Sequence, residues 1–147
     1  MAQTLNHSPA DIARRVLIRE GVGVDPPSTP WPIYASAEPD TPDSVITLYD
    51  TEGVSHGRAM PTGELFTHYG IQVKVRAARH EDGWLKADEI RNTMAEVVSL
   101  ETVTIGSSTY TIQSFNRIGP VLSLGADVPP SRRVAFTINA RIVVRKN

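Results

Sequence analysis

Cysteine is absent from this chain of 147 residues, and the gap removes disulfide scaffolds, thiolate zinc sites and cysteine nucleophiles together. Such a chain suits a reducing compartment. Long apolar runs are missing too: nothing approaches the roughly 20 residues that span a bilayer. Met1–His7 has neither a basic cluster nor an apolar stretch, so neither a secretory signal nor a membrane partner is expected. Aromatics are few, with three Phe, four Tyr and two Trp, and none stands among the basic clusters Arg132-Arg133 or Arg141, Arg145 and Lys146. A nucleic-acid module usually interleaves the two. Those four arginines therefore read first as a solvated face or an interface rim, with phosphate contact in a lumen as the lesser alternative. Lysine is missing from residues 1–69, which hold four Arg against nine acidic residues, while residues 70–147 hold eleven basic against seven acidic. The halves stand at about −5 and +4 within a net charge of −1. Opposed charge of this kind can serve a head-to-tail contact between identical subunits, or be no more than a chance distribution of solvated charges.

Recognisable chemistry is equally scarce. His7, His56, His68 and His80 lack the spacing of a metal site such as H-E-x-x-H, and solvated histidines are the simpler reading. His56, Glu64 and His68, with Asp50 nearby, would be the residues of a small metal-dependent hydrolase, resting on loop backbone. Gly106-Ser107-Ser108 is explained by a hairpin turn and does not form the G-x-S-x-G elbow of a serine nucleophile. The glycines match neither phosphate-binding loop. Glu38, Asp40 and Asp43 are too few for an EF-type cation loop, so two prolines stiffening an acidic loop account for them better. No cofactor is expected and no catalytic residue is nominated.

What is present is a pattern of elements. Ser8-Pro9-Ala10-Asp11 reads as a capped helix start, Ile12, Ala13, Val16 and Leu17 form an apolar stripe, and Gly21 offers a C-cap, so a helix is predicted over about 8–20. Pro26, Pro27, Pro30 and Pro32 make an extended connector. Trp31, held between two prolines, is either an anchor for a partner or a cover for one end of the core. Strands are predicted at Ile33–Ala35, at Val45–Tyr49, and from Ile71, where Ile71, Val73, Val75 and Ala77 alternate with wetter residues. Between the last two lies a loop over 50–69, long enough to be functional.

A second helix is expected from Asp82-Gly83, with Ala87, Ile90, Met94 and Val97 inward and Lys86, Asp88, Glu89, Arg91 and Glu96 in water. Val103–Ile105 and Tyr110–Ser114 suit a hairpin about Gly106-Ser107. Residues 117–124 offer a further strand before Val128-Pro129-Pro130. Phe136, Ile138, Ala140, Ile142 and Val144 line one face of the last. The expected fold is a single α+β domain over 1–147, order α-β-β-β-α-β-β-β, with a mixed or mainly antiparallel sheet flanked by two helices.

The capped helix, Trp31-Pro32-Ile33-Tyr34, Pro39-Asp40-Thr41-Pro42-Asp43, Tyr49-Asp50-Thr51-Glu52-Gly53, Arg58-Ala59-Met60, Thr62-Gly63-Glu64 and Gly70-Ile71-Gln72-Val73-Lys74-Val75-Arg76 together resemble the bacteriophage tail terminator family, across nearly the whole chain. The resemblance implies a sheet flanked by helices and a homo-oligomeric, hexameric ring capping the tail tube. It implies as partners the tail tube protein and the head-tail connector, with non-specific DNA passage through the lumen. The implied location is the virion, in the tail at the head-tail junction, after synthesis in the host bacterial cytoplasm. Such a protein is not an enzyme. Arg58, Met60, Glu64, Leu65, Phe66 and His68 of the long loop are then the expected subunit or tube contacts, mixing apolar atoms with charges that set register. The rivals are the hydrolase above and a monomeric binding module using the Pro-rich segment 26–32.

Overall fold

A computed structural model describes residues 5–51, 54–55, 67–96, 101–126 and 132–147. Among these, two helices and eight strands occur in the order α1 (Pro9–Arg19), β1 (Ile33–Ala35), β2 (Val45–Asp50), β3 (Val54–Ser55), β4 (Thr67–Ala77), α2 (His80–Glu96), β5 (Glu101–Ile105), β6 (Ser108–Arg117), β7 (Leu122–Ala126) and β8 (Val134–Lys146). The strands join in one mixed sheet, β1-β2-β4-β8-β6-β5, with β3 on β4 and β7 on β8. β1 and β2 run parallel, and the remaining strand pairs are antiparallel. This is the α+β fold expected.

Helix α1 forms for the reasons its sequence offers. Ser8 Oγ accepts the Asp11 N–H at 3.2 Å, and Pro9 occupies the first turn, where its missing N–H costs nothing. A second cap comes from far along the chain: Asp50 Oδ1, at the end of β2, accepts the Ala10 N–H at 2.8 Å. At the other end Gly21 takes φ +80, and the Val22 N–H bonds Leu17 O while the Gly21 N–H bonds Ile18 O. That is a Schellman stop, with buried Val22 lying beyond buried Leu17. Ala10, Ile12, Ala13, Val16 and Leu17 are buried, and each large one among them contributes roughly 2 kcal/mol of apolar burial.

The 11-residue pairing of β4 with β8, from Thr67–Val144 to Ala77–Val134, is the spine of the sheet. Its inner face carries Ile71, Val73 and Val75 beside Ile138, Ala140, Ile142 and Val144, all within the core that both helices cover. Helix α1 touches β1, β2, β4 and β5, strands from both ends of the order, so the sheet curls around it. Helix α2 lies on β4, β6 and β8, and a Cβ at Gly83 would stand 2.9 Å from the Phe136 ring.

Several boundaries differ from expectation. Strand β4 begins at Thr67 and not Ile71, because β3 pairs with Thr67 and His68 on one side while β8 pairs with them on the other. Backbone ladders on both flanks extend a strand whose side chains show no alternation there. Helix α2 starts at His80, two residues early, and Lys86 does not face water: its Nζ donates to Val22 O at 2.9 Å and sits 5.3 Å from the Trp31 ring centroid. The 117–124 strand is split. β6 pairs with β8 through Arg117–Ala140, the Ile118 N–H reaches Asn139 O, and β7 resumes at Leu122–Thr137 after Gly119-Pro120.

Candidate interaction surfaces

The acidic loop 36–44 is held by a cationic clamp. Arg76, alternating outward on β4, is almost wholly buried: its Nη1 meets Glu38 Oε1 at 2.8 Å, and its other nitrogens donate to the carbonyls of Asp40, Pro42 and Asp43. Lys74, two residues away on the same face, reaches the second oxygen of Glu38 at 2.7 Å. Arg133 donates to Asp40 O at 2.7 Å and lies 3.5 Å from the Asp40 carboxylate. A cavity of about 290 Å³ remains between Glu38, Asp40, Lys74, Arg76 and Arg133. Burial, with Glu38 adding to it, raises the Tyr49 phenol above its ordinary value. The clamp therefore consumes much of the opposition between acidic first half and basic second half within the chain.

A second hollow of about 280 Å³ crosses the outer face of the sheet, lined by His68 of β4, Ser114, Asn116 and Arg117 of β6 and Arg141 of β8. The register explains the grouping: His68 lies opposite Val143, and Asn116 opposite Arg141. His68 is thus a half-buried strand residue, not a loop residue. Arg141 is exposed, Arg145 half-buried, and Arg132 exposed with φ +48.

Trp31 packs against the core with φ 58, covering the end where Gly23 passes beneath its carbonyl. The hollow beside it, about 380 Å³, includes Pro30, Asp82, Leu85 and Lys86. His7, expected in solvent, meets the buried Tyr110 hydroxyl at 2.7 Å, and Asn6 bonds Ser108 Oγ at 2.7 Å. His80 stacks edge-on against Phe136 at 5.3 Å. Arg58, Met60, Glu64, Leu65 and Phe66, with His56 and Val97, lie outside the described residues.

Sequence reasoning missed one surface. Ile118, Leu122 and Leu124 are exposed, although their spacing reads as an ordinary strand. The available signal was compositional: residues 118–126, which include Gly119-Pro120, hold no charged side chain.

Among the described residues no three His, Asp or Glu gather as a metal cluster, and no helix is long and apolar enough to cross a membrane. Fold and surfaces together define an α+β protein with a charged clamp, a hollow on the outer face of the sheet and an exposed apolar strand. The chain belongs to the bacteriophage tail terminator proteins, whose family it matches over residues 16–127. It is accordingly a structural phage tail protein and a virion component. No curated protein matches it.

Proposed function

We propose that the chain assembles into a homo-oligomeric, hexameric ring that caps the tail tube at the head-tail junction, ends tube polymerisation and forms the joint to the head connector. It works by assembly and not by catalysing a reaction. The observation carrying this reading is the family match over residues 16–127, which takes in α1 from Val16, helix α2 and strands β1 to β7. Segment 56–66, with Arg58, Met60, Glu64, Leu65 and Phe66, supplies tube or subunit contacts beside His68. Of the four arginines nominated for a rim or lumen, Arg141 is free to meet DNA phosphates on the outer sheet face, whereas Arg133 is engaged by the acidic loop.

Deleting the gene in its phage and imaging the lysate tests the proposal. Abnormally long tails, or tails without heads, are the expected result. Normal virions would overturn it.

A further inference from the structure

We propose that the open edge of β7 is covered by a second copy of this chain, docked through its acidic α1–β2 flank; this rests on the ring reading and assigns it a contact surface. The two strands that end the sheet order, β1 and β5, are both blunted. On β1, Arg14 Nε takes Ile33 O at 2.7 Å, and the Ile33 N–H is spent on Val24 O at 3.0 Å. On β5, Arg19 Nη1 takes Thr102 O at 3.0 Å. Helix α1 thus sends one arginine to each end of the curled sheet. Exposed strand edges are templates for addition, and proteins ordinarily block them with charge, proline or a covering element.

Among the described residues β7 has no charge, proline or covering element on it, although a bulge between Ser123 and Gly125 breaks its register. It pairs with β8 alone, all five of its residues are exposed, and Leu122–Ala126 contains neither charge nor proline. Ile118, Leu122 and Leu124 are 47%, 45% and 57% exposed, three of the five large hydrophobic side chains that are exposed among the described residues. Apolar side chains on a strand that pairs along one side only among the described residues suit a protein surface and not a phosphate backbone.

Charge identifies which protein. The described residues of β6, β7 and β8 hold no carboxylate, while Arg117 and Arg132 are exposed at either end of the strip. The acidic surplus lies in the first half of the chain: Glu20, Asp25, Asp43 and Asp50 stay exposed on or between α1 and β2, even with Arg19, Arg14 and Arg133 paired to the first three within the chain. The sheet order sets β1 and β2 on one side of the β4–β8 spine and β6 on the other, with β7 continuing the line of β6 along β8. On the acidic side the short strand β3 is paired only with β4 among the named strands, which offers backbone for addition. Cationic edge against acidic flank is a heterologous contact, the kind that closes into rings.

The test uses the full chain and a Leu122→Lys/Leu124→Lys variant, compared by native mass measurement and light scattering. Both side chains are already exposed, so circular dichroism and melting should match wild type. The assembled fraction should fall, with the apparent dissociation constant rising at least about tenfold. Hydrogen exchange on the wild type gives an independent readout: amides at 122–126 should slow on assembly, even if the variant folds poorly. A folded variant that assembles like wild type, or unprotected 122–126 amides in the particle, overturns the assignment and leaves the ring reading standing. A wild type that stays monomeric at every concentration overturns both. Protection of β7 by double-stranded DNA in place of a second copy would overturn it in favour of nucleic acid.

Discussion

At the scale of single residues, the outer face of β2 offers two sharp tests. Thr47 is completely buried between Lys74 and its strand neighbours, and its hydroxyl has no hydrogen-bond partner among the described residues. Leaving a buried donor unpaired costs more than the bond it could have made, and valine keeps the shape while suiting a strand. Thr47→Val is therefore expected to raise stability by roughly 1 kcal/mol, read as a higher denaturant midpoint with an unchanged slope. Tyr49 lies two residues on. Burial favours its neutral form and Glu38 adds to the effect, so its folded pKa stands above the ordinary 10.0. A raised folded pKa contributes stability that is fully present below the unfolded pKa and is lost as pH rises through the folded one. Unfolding free energy should hold steady through neutral pH and decline above about pH 10, and Tyr49→Phe should reduce that alkaline decline. Denaturant titrations of both proteins at several pH values decide it; an identical alkaline slope would remove Tyr49 as the cause.

At the scale of elements, the acidic loop and the strand beneath it act as one unit. Arg76 ties Glu38 and three loop carbonyls to β4, so Arg76→Ala leaves Glu38 with Lys74 alone and releases the loop's backbone. A loss of about 3 kcal/mol is expected, with faster exchange concentrated in residues 36–44. A uniform rise in exchange would mean that Arg76 supports the whole sheet instead. The same unit shows what the sequence could and could not reveal. Helix α1 was legible because Ser8, Pro9 and Gly21 act on their own neighbours, and β8 was legible because five apolar residues keep a strict alternation. The clamp was not, since Glu38 and Arg76 stand far apart in the chain and each reads as a solvated charge. His7 was misplaced for that reason: its partner, Tyr110, is more than a hundred residues away. Strand β4 lost its first four residues to the sequence reading because a ladder, not a side-chain pattern, extends it. Ile118, Leu122 and Leu124 were visible as apolar residues, but only the fold shows that nothing in the described subunit covers them.

For the whole molecule, internal pairing changes what the charge asymmetry can do. The halves differ by sign in sequence, yet Glu38, Asp40 and Asp43 are answered within the chain by Lys74, Arg76 and Arg133. What remains outward on the basic side is chiefly Arg117, Arg132 and Arg141, beside an apolar edge. Such an arrangement assigns different work to the two kinds of group: exposed charges steer subunits together over distance, and apolar contact holds them once docked. Raising salt from about 0.1 M to about 1 M shortens the screening length from about 10 Å to about 3 Å. Under the assembly proposed above, that change should slow ring formation severalfold while leaving the final assembled fraction nearly unchanged. Arg117→Glu with Arg132→Glu should slow it at low salt and abolish most of the salt dependence. Leu122→Lys with Leu124→Lys should do the reverse, reducing the final fraction at every ionic strength. Time-resolved light scattering separates rate from extent in each case. If salt dissolved the ring outright, the residual charges would be holding the interface, and the apolar edge of β7 would lose its assigned role.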